Sequence, residues 1–172
     1  VVVFDSCTRA VTARAVIAQI RKLTPKPVRL LINSHWHQDH WSGNGEYARA
    51  FPGLRIVSTA QTRAFMAHMG AKFFVDETSG GVEQERAALA EAIRSGKLPD
   101  GAPLSGEERT RRERDLAIAD QFMAEIAALP RVLPNLVYEG ELTFWSGQRE
   151  FRLISVTGDA SASTVLYLPG EK

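Results

Sequence analysis

The sequence predicts an α/β fold in which neighbouring strands run parallel. Three observations carry this expectation. Residues 1–5 form a β-branched run, residues 8–23 place apolar side chains at helical spacing, and residues 28–33 form a second apolar run of strand length after a proline-rich break. Strand, helix, strand in that order is a crossover unit, which sets its two strands side by side and parallel. In open sheets of this kind the loops leaving the carboxyl ends of the strands carry the chemistry.

Each element follows from its residues. Val1-Val2-Val3-Phe4-Asp5 reads as a short buried strand, and Val11, Ala15, Val16, Ile20 and Leu23 fall at helical spacing. Thr24-Pro25-Lys26-Pro27 stops that helix, and Val28-Arg29-Leu30-Leu31-Ile32-Asn33 is the next strand. Gly43-Asn44-Gly45 turns the chain, residues 46–51 read as helix, Pro52-Gly53 ends it, and Leu54-Arg55-Ile56-Val57-Ser58 is a third strand. The region at about 61–129 is mainly helical, broken at residues 98–103 and restarted by Ser105-Gly106-Glu107-Glu108, a capping-box pattern. Its apolar residues Leu116, Ile118, Phe122, Met123 and Ile126 read as packing contacts. After Pro130 and Pro134, residues 142–145 and 151–156 around Ser146-Gly147-Gln148 read as a hairpin, and residues 164–168 as one more strand. No internal repeat is visible, so the expectation is one domain over residues 1–172 with a helical insertion at about 61–129.

With 44% hydrophobic and 24% charged residues, a chain of 172 residues can bury a core. The formal net charge of +1 gives no global field that would recruit nucleic acid or an anionic membrane, so neither is expected as a partner. The one basic cluster, Arg109 to Arg114, is interleaved with Glu107, Glu108, Glu113 and Asp115 and reads as a solvated helix face. Cys7 is the only cysteine, which excludes an internal disulfide and any cysteine-rich zinc site, and its expected role is that of a small buried residue. No apolar stretch reaches the roughly 20 residues needed to cross a bilayer. The chain opens on a strand rather than on a signal peptide, and a leader upstream is compatible with that, so localisation is open between cytoplasmic and periplasmic or secreted.

The chemistry concentrates in Ser34-His35-Trp36-His37-Gln38-Asp39-His40. Three imidazoles and one carboxylate fall within six consecutive residues directly after an apolar strand. These are ligands that a borderline cation such as zinc accepts. In an extended segment His35 and His37 project to the same side, and a turn at Gln38 redirects Asp39 and His40 toward a second point. The plain alternative is a set of hydrogen-bonded polar loop residues. His68 falls in a helical stretch and is not counted as a ligand.

These residues resemble the His-x-His-x-Asp-His signature of the metallo-β-lactamase superfamily, and the match extends through Asp5, residues 30–34 and Gly43-Asn44. The resemblance implies an αββα sandwich, one or two zinc ions, His35 and His37 as ligands of the first, and Asp39 and His40 as ligands of the second. His37 favours the zinc hydrolases over the iron-binding flavodiiron branch, which resembles this motif with a glutamate at that place. Residues 158–169, Gly158-Asp159-Ala160-Ser161-Ala162-Ser163-Thr164-Val165-Leu166-Tyr167-Leu168-Pro169, are similar to the family stretch that supplies a third histidine to the first zinc. Here Asp159 takes the histidine position. It either substitutes as a ligand or is a turn residue after Gly158.

The family's bridging aspartate and last zinc histidine follow that stretch, whereas the chain ends at Lys172. The resemblance therefore implies the first half of the sandwich plus the insertion, an incomplete domain whose exposed sheet face would associate with a second copy or with the missing half. It implies hydrolysis by a metal-bound hydroxide, with Asp39 orienting the hydroxide and relaying its proton, and a zinc ion lowers the pKa of bound water to about 7. The implied substrate is a small molecule with an ester, lactone, thioester or amide (β-lactam-like) bond. Trp36 and Trp41 flank the ligands, either as packing or as a surface for an apolar substrate group. The rival reading is a catalytically degenerate binding or assembly module, prompted by Asp159 and the absent downstream ligands.

Overall fold

The computed structural model describes residues 1–68, 81–158 and 160–171. The chain divides into two compact units, Val1–Phe74 with Leu129–Lys172, and Val75–Ala128.

In the first unit, β1 (Val2–Phe4), β2 (Leu30–Ile32), β3 (Arg55–Thr59) and β4 (Leu136–Tyr138) form a parallel sheet in the order β1-β2-β3-β4. Leu30 pairs with Val2 and with Arg55, which fixes a register with no offset across the first three strands. Side chains alternate across this sheet as the two-residue period requires. Leu31 and Ile56 face one side, where they pack with Ala13 and Ile17 of α1 (Ala10–Leu23) and Tyr47 of α3 (Asn44–Ala50). Ile32, Val57 and Tyr138 face the other side, against Leu153. That second layer is an antiparallel sheet of β5 (Glu141–Ser146), β6 (Arg149–Val156) and β7 (Ser163–Tyr167), with Gly147 at φ 65° in the β5–β6 turn. Leu142 and Leu166 flank the same cluster, so the layers run helix, parallel sheet, antiparallel sheet. The outer face of the antiparallel sheet leaves Trp145, Val165 and Tyr167 exposed.

Strand β4 was not expected from the sequence. It has three residues, and two of them, Leu136 and Val137, are exposed at the sheet edge, so no alternation marks it. Asn135 does the joining: its backbone N–H donates to Ile56 O, its Oδ1 accepts from Ile56 N–H, and its side-chain amide donates to Leu54 O.

Helix α2 (Gln38–Trp41) follows β2, and α4 (Ala60–His68) follows β3 directly and belongs to the first unit. Five hydrogen bonds pin α4. Thr59 Oγ1 accepts from Thr62 N–H and donates to Thr62 Oγ1, and Thr62 Oγ1 donates to Ala162 O. Arg63 donates to Pro134 O and Arg131 to Met66 O.

The second unit packs α5 (Val82–Ser95) against α6 (Gly106–Ala127), with Leu89, Ala92, Ala119 and Ile126 buried. Gly96 closes α5 in the left-handed conformation at φ 68°. The capping box at Ser105 and Glu108 starts α6 as its sequence indicates. Ile118, expected to pack, is 58% exposed: it lines an open groove between the two helices with Leu89 and Phe122.

Candidate metal centre

The histidine segment leaves the carboxyl end of β2 and is held from beneath. Asn33 and Asn44 are fully buried and exchange side-chain hydrogen bonds at 2.9 and 3.0 Å, which spans the segment between strand and α3. Asn44 also donates to Val132 O. After β1 the chain bends sharply, with Asp5 at φ 62° and Cys7 at φ 72°. The left-handed region costs an aspartate little and a cysteine on the order of 1 kcal/mol. The bend brings Ser6 N–H to His40 O and Cys7 O to Gly43 N–H. A Cβ on Gly43 would lie 1.9 Å from Ser6 O, so only glycine permits this approach.

Asp5 is the anchor of the segment. Its Oδ1 accepts from Ser34 N–H at 2.7 Å, and its Oδ2 accepts from Ser34 Oγ and from His40 Nδ1, each at 2.8 Å. A carboxylate on Nδ1 keeps the proton there and leaves Nε2 with its lone pair. That Nε2 lies 3.2 Å from Asp39 Oδ2. The chain turns at His37 into α2, which carries Asp39 and His40, and His40 N–H donates to His37 O.

The rings of His35 and His37 meet edge to face at 4.7 Å, with His35 Nε2 2.9 Å from His37 Nδ1. The His40 ring centroid is 4.1 Å from that of His35. His35 is buried and Asp39 opens to solvent, so the cluster has an inner and an outer side.

These donors suit a zinc ion. Two imidazole nitrogens on one tetrahedral zinc stand about 3.3 Å apart, a few tenths of an ångström more than His35 Nε2 and His37 Nδ1. As the side chains stand, no three of them among the described residues close around a single point. Asp159 lies outside the described residues. Its neighbours are placed: Thr164 N–H donates to Ser34 O at 2.6 Å and Thr62 to Ala162 O, which holds the start of β7 beside the histidine segment. His68 ends α4 and is exposed.

Trp36 and Trp41 separate in role. Trp41 is buried and its Nε1 donates to Trp36 O, which makes it packing under the loop. Trp36 is half-buried, with its ring 4.2 Å from that of His37 and 6.0 Å from that of Phe65 on α4.

Cys7 is half-buried rather than buried, and burial first, then the Asp5 charge, pushes its thiol pKa up. Tyr47 lies behind the bend, pushed up to about 12 by burial and by Cys7. Sequence reasoning gave Asp5 and Ser34 no function. Asp5 lies 29 and 35 residues from its two partners, and no local pattern reports a contact of that range.

Comparison with known proteins agrees with this architecture. A linear primary-alkylsulfatase of Pseudomonas sp. (strain ATCC 19151) is 23% identical over 171 residues, 99% of this chain and 30% of that protein. Among solved structures, a metallo-β-lactamase from Pontibacter korlensis is similar with a TM-score of 0.53 at 14% identity, over 98% of this chain and 50% of the other. A stereoselective inverting sec-alkylsulfatase from Pseudomonas sp. also reaches 0.53, at 17% identity, over 98% of this chain and 25% of the other. The chain therefore spans half or less of the length of each, and its likeness to the solved structures shows the fold. These relatives are hydrolases by name. The sequence profile of the metallo-beta-lactamase superfamily matches residues 1–149, and the chain belongs to that superfamily.

Proposed function

We propose that this chain carries the metal-holding part of a zinc-dependent hydrolase acting on a small-molecule ester, lactone, thioester or amide. The observation that supports this most is the convergence of His35, His37, His40 and Asp39 at the carboxyl end of β2, with Asp5 fixing the tautomer of His40. Zinc, when bound, supplies an acidified water as nucleophile near neutral pH and polarises the oxygen of the bond under attack.

The residues divide the remaining work. His35 Nε2 and His37 Nδ1 face each other and would hold the first ion, and His40 Nε2 and Asp39 would hold a second. Asp5 keeps the His40 proton on Nδ1. Asp39, the most open of the group, accepts the proton of the attacking water. Two of the relatives act on alkyl sulfates by name, so sulfate esters join the substrate panel. The reading takes neither nucleic acid nor membrane as partner, and assigns the exposed Trp145, Val165 and Tyr167 face to association between copies.

The test is elemental analysis of the chain purified without chelator, then hydrolysis of carboxylic, thio-, sulfate and phosphate esters, a lactone and a β-lactam. Stoichiometric zinc with turnover that His37→Ala abolishes supports the hydrolase. Asp159 in place of the family histidine favours a second reading, a degenerate module that binds without turnover. Chain free of tight metal, with His37→Ala indistinguishable from the parent, selects that reading instead.

A further inference from the structure

Trp36 and Phe65 are two aromatic side chains in contact beside the histidine segment. Both are half-buried and neither contributes to the clusters between helix and sheet or between the two sheets. Their rings touch, with centroids 6.0 Å apart at 44°, and Trp36 meets His37 edge to face at 4.2 Å. The aromatic pair therefore reaches from a metal-ligand candidate, His37, to α4.

That surface is rigid. Trp41 clamps the Trp36 carbonyl from below, and Phe65 rides on a helix fixed at Thr59, Thr62, Arg63 and Met66. Thr62 is fully buried and its hydroxyl bridges Thr59 and the Ala162 carbonyl, so the turn of α4 carrying Phe65 cannot slide. Preorganised aromatic side chains beside a polar centre are the usual construction of a site for a ligand that is apolar at one end. Ring faces accept alkyl or aryl groups through area burial and offer no partner to an anionic group.

We infer that Trp36 and Phe65 form the wall that receives an uncharged alkyl or aryl group of the substrate next to the bond cleaved, making chain length the selected property. The inference rests on the hydrolase reading for its position and names the substrate class of that site. Each methylene laid against the wall loses part of its contact with water, so four added methylenes raise kcat/KM on the order of tenfold.

Two measurements test it, and one needs no turnover. In the first, kcat/KM is compared for p-nitrophenyl octanoate and butyrate on the full chain, on Trp36→Ala and on Phe65→Ala. In the second, the same three proteins bind octanesulfonate and butanesulfonate, which cannot be hydrolysed as esters, in a calorimeter. A preference of on the order of tenfold for the longer chain, reduced below about threefold in either variant, supports the wall. The two substitutions lie on different elements, so one reads out where the other disturbs folding. Length-dependent binding without turnover supports the wall while the hydrolase reading fails. Turnover or binding indifferent to chain length, or a preference that survives both substitutions, overturns it.

Discussion

The carboxylate of Asp5 lies 2.8 Å from Nδ1 of His40, across 35 residues of sequence, and the same carboxylate holds both donors of Ser34. A single side chain thus orients one ligand candidate and fixes the backbone that launches two others. Asp5→Asn keeps the volume and loses the charge and one acceptor. Zinc affinity should fall about 10- to 100-fold, as it does when the outer partner of a ligating histidine is removed. Competition titration against a chromophoric chelator reads this directly, and an unchanged affinity would contradict the anchoring role.

Gly43 and Gly106 should respond in opposite directions to alanine. At Gly43 the new Cβ meets Ser6 O at 1.9 Å, and backbone must move to admit it. A loss of about 1–3 kcal/mol or more is expected in urea denaturation. At Gly106, the first residue of α6, nothing lies within 4 Å, so alanine should stabilise by about 0.5 kcal/mol through the unfolded chain.

Tyr47 links stability to alkaline pH. Burial pushes its phenol from 10.0 up to about 12 in the folded chain, so the unfolded chain releases this proton first. The contribution is complete below pH 10 and is lost as pH rises toward 12, at no more than about 1.4 kcal/mol per pH unit. Tyr138, raised in the same direction by burial, adds to the slope. Tyr47→Phe should flatten its share. It should also gain about 1 kcal/mol at neutral pH, because the buried Tyr47 hydroxyl has no hydrogen-bond partner among the described residues. Denaturation midpoints at pH 7, 10 and 11 on both proteins check the sign.

Ser105→Ala should cost about 1 kcal/mol, confined to the helical unit. The Ser105 hydroxyl accepts from Glu108 N–H, and the Glu108 carboxylate accepts from Ser105 N–H. Amide exchange should quicken at the start of α6 while zinc content stays constant. A change in zinc content would mean that the cap acts beyond its own helix.

What could be read from the sequence follows the range of the interactions concerned. The first three strands, α1, the β5–β6 hairpin and the capping box at Ser105 all rest on periodicity or on partners within a few residues, and all are present. The clustering of His35, His37, Asp39 and His40 was legible for the same reason. Strand β4 escaped because its three residues are held by Asn135, whose partners Leu54 and Ile56 are about 80 positions away. Asp5 escaped likewise: a strand-end aspartate gives no sign that it will bond Ser34 and His40. Ile118 was misjudged because helical spacing reports a stripe and not how many neighbours cover it.

The parallel sheet is laid down in two instalments. Strands β1, β2 and β3, with the histidine segment and its Asp5 anchor, are complete by Thr59, and β4 joins only after the residues between Thr59 and Leu136 have been made. For a chain synthesised from its amino end, Asp5 and the histidine segment are made before the helical unit, and the bonds from Asn44 to Val132 O and from Thr164 to Ser34 O close the corner after it. Because the entropy of closing a loop grows only with the logarithm of its length, each doubling adding about 0.6 kcal/mol, the helical unit within that segment, Val75–Ala128, is the place where this fold can lengthen or shorten over generations at small cost to the sheet.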